Sequence, residues 1–344
     1  MSYTNGLDKP EDYFNTVLYT GDGTSDRTIT NTFATDFLWL KERNGTDWHH
    51  LWDKVRGDGK RIHTNNTNAE SDLGTYIALV STGFKVDGGT YNNSSVPFVA
   101  WQWKANGSGS SNTDGSITST VSANTTSGFS IVSFTGTGST ATVGHGLGVT
   151  PKMFIVKNRS ITETWRPYHV ALGGGQALAL NDANATDTDS SYWSNTNPTS
   201  SVFTVGTNTG TNGSGNSMIA YCFAPKKGFS AMGSYVGNGS SDGSFIYTGF
   251  KPAFVITKST DIAQHWQLYD NKRNEYNQSS KILFPSLSAA EQNDPNAAVI
   301  DMLSNGFKQR VNDIGGNGSG NSYIYMAFAK NPFVTSTGIP TTGR

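Results

Sequence analysis

Asn212-Gly-Ser-Gly-Asn-Ser217, followed by Met218-Ile-Ala-Tyr-Cys-Phe-Ala224, is the stretch that decides the fold, because the chain repeats it about a hundred residues later. The second occurrence is Asn317-Gly-Ser-Gly-Asn-Ser322, followed by Tyr323-Ile-Tyr-Met-Ala-Phe-Ala329. A weaker version, Asn92-Asn-Ser-Ser-Val-Pro97, precedes Phe98-Val-Ala-Trp-Gln-Trp103. A polar turn that leads into an apolar strand therefore closes a unit that occurs three times.

Other residues recur at matching intervals. A glycine-containing turn precedes a lysine by 20 residues in the first unit and by 21 in the other two. Eight residues after that lysine comes a histidine or tryptophan, and another aromatic residue follows three positions later. In unit order, these columns are Lys41, Lys157, Lys258; His49, Trp165, Trp266; and Trp52, Tyr168, Tyr269. The shared register predicts three copies of one fold, with closing strands that superpose.

The composition favours short strands joined by tight turns. The chain has 344 residues, of which 39 are glycine, 12% are aromatic and only 15% are charged. We therefore predict an all-β protein of three tandem antiparallel β-sandwich repeats, jelly-roll or lectin-like, of about 100 residues each. The predicted parts are an N-terminal arm 1–16, repeats 17–105, 128–226 and 227–331, a Gly/Ser/Thr linker 106–127 and a C-terminal tail 332–344.

Three segments carry more detailed expectations. The arm 1–16 is either a mobile tail or a docking arm, since Tyr13 and Phe14 are unusual in a solvated tail. Segment 106–127 has almost no apolar side chains, so it is either a linker or an extended segment lying on the surface. Residues 288–291 have the spacing of a capping box, which predicts one short helical turn.

Alternate positions of the closing strands predict the core. One set is large and apolar in every copy, and we assign it to the core face. The other set varies, and it includes Cys222, which we expect to be a small apolar residue within a strand. Trp103, Phe223 and Phe328 belong to the first set and are each expected to be buried. That first set reads Val99, Trp101, Trp103; Ile219, Tyr221, Phe223; and Ile324, Met326, Phe328.

Several kinds of chemistry lack support. A formal net charge of −1 argues against nucleic-acid binding by bulk charge, and no stretch has the length and hydropathy of a membrane helix. The start of the chain does not resemble a signal peptide, which predicts synthesis in a cytosol. The single cysteine excludes an intrachain disulfide, and the six histidines have no metal-ligand spacing. We therefore expect no metal, no cofactor and no enzymatic activity.

Long phrases resemble a family of tailed-phage virion proteins from marine and aquatic phages, usually called tail-fibre or structural proteins. The phrases lie at 12–21, 53–57, 128–138, 141–159, 240–258 and 269–274, and together they span nearly the whole chain. The resemblance implies a lectin-like β-sandwich scaffold, and it brings no catalytic motif. The first copy departs most, because it lacks the proline before its core strand and the Asn-Gly-Ser-Gly-Asn-Ser turn.

The resemblance implies a virion component that contacts the host surface, as a tail fibre or receptor-binding protein, or one that decorates the particle. Its expected partners are other virion proteins, further copies of itself in a homotrimer, and a host surface glycan. The alternative is a carbohydrate-active tailspike that depolymerises polysaccharide, since a glycosidase needs only two carboxylates placed by its fold.

A glycan site is expected where one copy departs from the others. The second copy has three acids within eight residues, followed by a Tyr-Trp pair, whereas the matching stretches of the other copies contain no tryptophan. We hypothesise that Tyr192, Trp193, Asp187 and Asp189 form a glycan-contacting rim. Two alternatives stay open: Trp193 fills the core of its own sandwich, and the acids, with nearby Asp182, are solvated loop residues.

Overall fold

The computed structural model describes residues 6–295 and 299–341. Strands hold 42% of the residues and helices 4%, and the strand ladders are antiparallel, so the all-β prediction is confirmed. The helices are short: two 3₁₀ turns, Pro10–Asp12 and Gly74–Tyr76, and two α-helical turns, α1 (Ser190–Trp193) and α2 (Thr209–Asn212). Residues 288–291 are not helical, because the Glu291 carboxylate accepts from Arg43 and Arg273 instead of capping a turn.

The strands are numbered in chain order. The first copy holds β1 (Phe14–Thr20), β2 (Arg27–Thr30), β3 (Phe37–Glu42), β4 (His50–Asp53), β5 (Lys60–His63), β6 (Ser71–Asp72), β7 (Ile77–Val80), β8 (Gly83–Val86) and β9 (Pro97–Trp103). The second copy holds β10 (Ser110–Asn112), β11 (Ser119–Asn124), β12 (Phe129–Thr135), β13 (Ala141–Gly144), β14 (Met153–Asn158), β15 (Arg166–His169), β16 (Gln176–Ala177), β17 (Asp187–Thr188), β18 (Val202–Val205) and β19 (Ser217–Phe223). The third copy holds β20 (Ser230–Val236), β21 (Phe245–Tyr247), β22 (Phe250–Ser259), β23 (Gln267–Asp270), β24 (Lys281–Ile282), β25 (Gln292–Asn293), β26 (Ile300–Leu303), β27 (Gly306–Gln309) and β28 (Ser322–Pro332).

One strand order occurs in all three copies. The large sheets contain the series β1-β9-β3-β4, β12-β19-β14-β15 and β20-β28-β22-β23. The closing strands β9, β19 and β28 therefore take the same place in each sheet, as the repeated columns predict. Each copy also has a smaller sheet: β2-β8-β7, β13-β18 and β21-β27-β26.

Both faces of the closing strands are buried, and the prediction of a single core face is wrong in this respect. The predicted core set lies in a central cluster that all three copies build together, where Phe14 and Trp103 meet Phe254 and Phe328. The variable set lies mainly in three local clusters, one per copy. Trp103, Phe223 and Phe328 are 1%, 3% and 1% exposed, and Cys222 is fully buried, as expected.

The two segments of uncertain order are both packed against the body. Leu7 and Phe14 lie in the central cluster, so the described part of the arm docks rather than moves freely. Segment 106–127 forms β10 and β11, which extend the large sheet of the second copy. The linker assignment is therefore corrected in favour of the extended segment: backbone hydrogen bonds order it, and its few apolar side chains, such as Ile117 and Val121, join the local cluster of the second copy.

The three copies meet along three seams: the first joins the first and second copies, the second joins the second and third, and the third joins the third and first. Two members of the repeated lysine column make such contacts, whereas Lys41 donates to carbonyls of its own copy. The Lys157 ammonium donates to the Thr67 carbonyl across the first seam at 3.0 Å, and Lys258 donates to Ala183 across the second at 3.3 Å. Burial lowers the pKa of each of these lysines to about 8.

The tryptophan column crosses the seams in the same way. Trp165 Nε1 donates to the His63 carbonyl at 2.7 Å, and Trp266 Nε1 donates to the Ala179 carbonyl at 2.7 Å. The third seam closes the ring, since Thr64 Oγ1 donates to the Pro285 carbonyl at 2.7 Å. The three copies therefore form one body around a shared core rather than a string of separate units.

A buried ion network crosses the first seam. Arg159 of the second copy donates to both Glu70 oxygens, at 2.8 and 2.9 Å. Glu70 also accepts from Arg56 at 3.2 Å, and Arg56 donates to Asp53 at 2.5 Å. Tyr221 of the second copy donates to Asp53 at 2.7 Å. The side chains of Arg56 and Asp53 are fully buried, and those of Arg159 and Glu70 are 15% and 13% exposed, so the network that joins the two copies is largely shielded from solvent.

The third seam repeats this network. Arg43 donates to both Glu291 oxygens at 3.0 and 2.8 Å, and Glu291 also accepts from Arg273 at 3.3 Å. Arg273 donates to Asp270 at 2.5 Å, and Trp101 of the first copy donates to the same carboxylate at 3.1 Å. The two seams thus use the same five positions with the same charges.

The second seam has no such network at the equivalent positions. His169 and Leu172 stand where the first copy has Asp53 and Arg56. Thr186 and Thr260 replace the Glu-Arg pair, and Thr186 donates from both its backbone nitrogen and its hydroxyl to the Thr260 carbonyl, at 3.0 and 2.6 Å. The repeat therefore keeps the backbone contact at this seam and loses the charges.

Candidate functional site

The loop that reaches the second seam also forms one wall of a surface cleft. The cleft encloses about 470 Å³ and is lined by Thr164, Arg166, Ala179, Asp182, Asn184, Ala185, Thr186 and Asp187. The matching cleft of the third copy encloses about 180 Å³ and has Gln267 and Gln292 at the positions of Arg166 and Asp187. The second copy therefore departs from its relative in both size and charge.

Strand pairing places the two charged walls of the cleft. Arg166 begins β15, and Asp187 begins β17, which pairs with β16. The Arg166 guanidinium lies over the Tyr192 ring, with its carbon 4.4 Å from the ring centroid. Its Nη1 atom is 4.0 Å from Asp187 Oδ2, and Asp187 also accepts from the Tyr192 hydroxyl at 2.5 Å. Arg166 and Asp187 are thus held in place by one buried tyrosine.

The floor of this arrangement is a packed core. Trp193 is 0% exposed and Tyr192 is 2% exposed, and both belong to the local cluster of the second copy. Trp193 Nε1 donates to the Gln176 carbonyl at 3.1 Å, which explains how the indole is buried with its polar atom satisfied. Burial raises the pKa of Tyr192, and its hydrogen bond to Asp187 acts in the same direction.

The hypothesis of an aromatic rim is therefore corrected. Both residues are buried: Trp193 packs on Phe154 and Tyr168, and the Tyr192 ring lies against Trp193 and under the Arg166 guanidinium. The alternative that Trp193 fills its own core agrees with its burial. Asp187 is exposed and lines the cleft.

Asp189 has a local structural role. It caps α1 by accepting from the Ser191 backbone nitrogen at 2.7 Å and from the Ser191 hydroxyl at 2.6 Å. These hydrogen bonds hold the pKa of Asp189 below its usual value, and the bond from the Ser191 hydroxyl has the larger effect. Asp189 is therefore the base of the loop, whereas Asp182 and Asp187 are the carboxylates that face the cleft.

Arg166, Asn184 and Thr186 are cleft residues that the sequence analysis missed. Arg166 follows the tryptophan column directly, where the third copy has Gln267. A comparison of the copies at this position could have identified Arg166, since the third copy has an uncharged glutamine where the second has a guanidinium. Asp182 was noted only as a neighbouring acid, yet it lies at the same cleft and its side chain accepts from the Asn184 backbone nitrogen at 2.8 Å.

The acids of this loop form no cluster suited to a metal. Across residues 6–295 and 299–341, no group of three or more His, Cys, Asp or Glu side chains is close enough to hold a metal ion. Two carboxylates, one guanidinium and several hydroxyl and amide groups in an open cleft provide hydrogen-bond donors and acceptors for a polar, hydroxyl-rich ligand.

Comparison with known families agrees with the extent of the repeat. A family model described as a domain of unknown function (DUF7483) matches residues 9–332. The chain belongs to the DUF7483 family. The match spans all three copies and the residues that form all three seams. No curated protein matches the chain. Among the helices of the described residues, none has the length and hydropathy needed to cross a membrane.

Proposed function

We propose that this DUF7483 chain is a structural component of a phage virion that contacts the host surface, as a tail fibre, receptor-binding protein or particle-decorating protein. The sequence phrases that resemble phage virion proteins support the particle location. The cleft of the second copy carries the proposal of host contact, because it is larger than the matching cleft of the third copy and has Arg166 and Asp187 where that cleft has glutamines. Its proposed ligand is a surface glycan.

The proposed architecture is three tandem β-sandwich repeats. In each copy the large sheet and the smaller sheet both supply side chains to one local cluster; for example, Phe154 of β14 meets Phe203 of β18 at 4.8 Å between ring centroids. The other face of each large sheet turns to the central cluster. We also propose that the chain assembles as a homotrimer within the particle; light scattering that gives a monomer of the 36.9 kDa chain would count against a trimer in solution.

The chemistry of the cleft fits a neutral or hydroxyl-rich sugar. The Asp182 and Asp187 carboxylates accept from sugar hydroxyls, and Arg166 donates to hydroxyl or carboxylate oxygens. Asp187→Asn keeps an oxygen that accepts from Tyr192 while removing the charge, so the fold is expected to persist. Arg166→Lys keeps a cation but loses the planar fork.

The test is binding to a panel of purified bacterial surface polysaccharides. Asp187→Asn and Arg166→Lys are expected to weaken binding about tenfold or more, with unchanged urea-unfolding midpoints. Gln267→Ala, at the position in the third copy that matches Arg166, is the control and is expected to bind like the parent protein. Equal binding by all variants, or no binding to any polysaccharide or to host cells, would reject the cleft as the receptor site.

A polysaccharide depolymerase is the second candidate, because Asp182 and Asp187 line the same cleft. Release of reducing sugar from a bound polysaccharide, abolished by Asp182→Asn or Asp187→Asn, would identify this activity. Binding without sugar release supports the non-enzymatic proposal. Locating the chain in an electron-microscopy map of the intact particle tests the virion assignment itself.

A further inference from the structure

In each copy, one edge of the large sheet and one edge of the small sheet lie on the same side. This side is covered by another segment in the second copy and is open in the third. In the second copy, β11 pairs with the outer edge of β12 along its full length. The same segment covers the small sheet, since Ile117 N donates to the Thr142 carbonyl at 3.0 Å and Ser119 Oγ donates to the Gly144 carbonyl at 3.2 Å. Residues 110–124 therefore close this side of the second copy.

The third copy leaves the equivalent side open. Strand β20 takes the place of β12, and it pairs with β28 on one edge while no described strand pairs with the other. On the small sheet, β21 is likewise an edge strand. Strand β20 reads Ser-Ala-Met-Gly-Ser-Tyr-Val and has no charge, proline or bulge, which are the features that usually protect a free edge.

The hydrogen-bond alternation of β20 shows which amides face outward. Gly237 N donates to the Asn321 carbonyl, and Ala329 N donates to the Phe229 carbonyl, so odd-numbered residues bond to β28. The N–H and C=O groups of Met232 and Ser234 therefore point away from the sheet, whereas the outward carbonyl of Val236 accepts from the Ser244 hydroxyl at 2.8 Å. An arriving strand would find them in the arrangement that β12 offers to β11.

Three positions along this open side are apolar only in the third copy. Val236 is 58% exposed and occupies the place of Thr20 and Thr135. Phe245, 46% exposed, and Tyr247, 63% exposed, lie in β21. Their equivalents are Thr28 and Thr30 in the first copy and Thr142 and Gly144 in the second.

The equivalent positions in the second copy are the ones that touch the covering segment. Thr142 and Gly144 accept hydrogen bonds from it, and a side chain at Gly144 would collide with Asn112. The third copy places large aromatic side chains at these same two positions and leaves them in water. A segment on the path of Asn112 would collide with Tyr247, so a strand added to this side would correspond to residues 117–124 and lie beside these exposed side chains.

We propose that the open side of the third copy binds an extended segment of another protein, which adds to β20 as an antiparallel strand and packs on Phe245 and Tyr247. The covering segment of the second copy defines the chemistry of this partner. It is uncharged where it pairs, rich in serine and threonine, and supplies buried apolar side chains such as Ile117 and Val121. Strand addition of this kind obtains affinity from backbone hydrogen bonds and specificity from alternate side chains.

A synthetic peptide with the sequence of residues 117–124, which omits Asn112 because that residue would collide with a side chain at the Gly144 position, tests the proposal on the full chain. Amide hydrogen exchange is expected to slow at Met232 and Ser234 when the peptide is added, with no change at β1 or β12. A peptide with glycine in place of Ile117 and Val121 is the control and is expected to give no protection. Unchanged exchange at β20 with millimolar peptide, or protection at β1 instead, would overturn the proposal.

Two variants sharpen the test. Ser234→Pro removes an outward N–H without removing a bond to β28, so it is expected to fold and to lose peptide binding, whereas Ser234→Ala is expected to keep it. Tyr247→Thr, which installs the residue of the first copy at an exposed position, is expected to weaken binding about tenfold. Full binding by either Ser234→Pro or Tyr247→Thr contradicts the assigned edge. A dimer of the parent protein that Ser234→Pro dissolves would overturn the assignment to another protein and give the edge to a second copy.

Discussion

The first and second seams join equivalent faces of neighbouring copies with different chemistry. At the first seam, Glu70 is held between the guanidinium groups of Arg56 and Arg159. At the second, Thr186 makes only backbone-directed hydrogen bonds to Thr260. The same loop of the second copy carries the open cleft, whereas its acidic counterpart in the first copy is fixed by two cations. The comparison shows that the scaffold keeps its geometry without the charges. The second-copy loop around Thr186, which lacks them, presents polar groups to solvent in the cleft.

The buried Asp53–Arg56 pair is expected to give the largest difference between the seams. Asp53→Asn leaves the fully buried Arg56 cation without its nearest carboxylate, which is expected to cost about 3–5 kcal/mol in the free energy of unfolding. The matched change His169→Asn at the second seam leaves no cation behind and is expected to cost less than about 1 kcal/mol at pH 7. Urea unfolding followed by tryptophan fluorescence measures both, and equal costs would show that the network does not distinguish the seams.

Acid is expected to act on the second seam through His169. Burial lowers the pKa of His169 to about 4, and the Lys152 charge also lowers it, whereas an unfolded histidine titrates near 6.5. As the pH falls from 6.5 to 4, the unfolded chain binds a proton that the folded chain does not, so stability is lost over this window, by about 3 kcal/mol for this one group.

The parent protein and His169→Asn are therefore expected to diverge below pH 6.5. The variant lacks one of the buried histidines, so its free energy of unfolding is expected to fall less steeply with decreasing pH. His49, His50, His63 and His145 also have pKa values lowered by burial and remain in both proteins as a common background. Parallel pH profiles for the two proteins would show that His169 does not titrate as its burial implies.

Installing the missing charges is expected to give the smallest effect. Thr186→Glu combined with Thr260→Arg copies the Glu70–Arg159 pair into the second seam. Because the Arg56 position is Leu172 there, the pair lacks its second cation, and a coupling of about 0.5–1 kcal/mol is expected in a double-mutant cycle. The unfolding midpoints of both single variants and the double variant provide the cycle. A coupling near zero would show that the seam geometry differs at this point.

The sequence predicted the parts of the fold that all three copies share. In the second and third copies, the lysine and tryptophan columns are in register because their side chains donate to carbonyls of a neighbouring copy, as at Trp165 and Trp266. The assignment of one core face was incomplete, since side chains that pack within a single copy, such as Cys222 and Tyr325, are free to vary between copies. Because each local cluster packs different side chains, the positions that form it do not show the same apolar residues in all three copies.

The site was harder to predict because its residues become neighbours only through β16 and β17, each two residues long. The charge of Asp187 is the reason for its prediction as a site residue, and the structure places it in the lining of the cleft. Trp193 was selected for its absence from the other copies, and the same observation fits a core residue that fills a space peculiar to the second copy. Segment 106–127 shows a related limit, because side-chain composition carries no information on backbone pairing at a sheet edge.

The pairing of Arg43 with Glu291 has a consequence for folding during synthesis, because these residues lie 248 positions apart. During synthesis from the N-terminus, the first seam is complete once the second copy has left the ribosome, whereas Arg43 has no partner until nearly the whole chain exists. The face of the first copy around Arg43 therefore stays exposed to solvent until the third copy has been synthesised. We expect nascent chains that end at residue 226 to be cleaved by added protease near Arg43 and protected near Glu70, and protection at both places would show that another contact covers this face first.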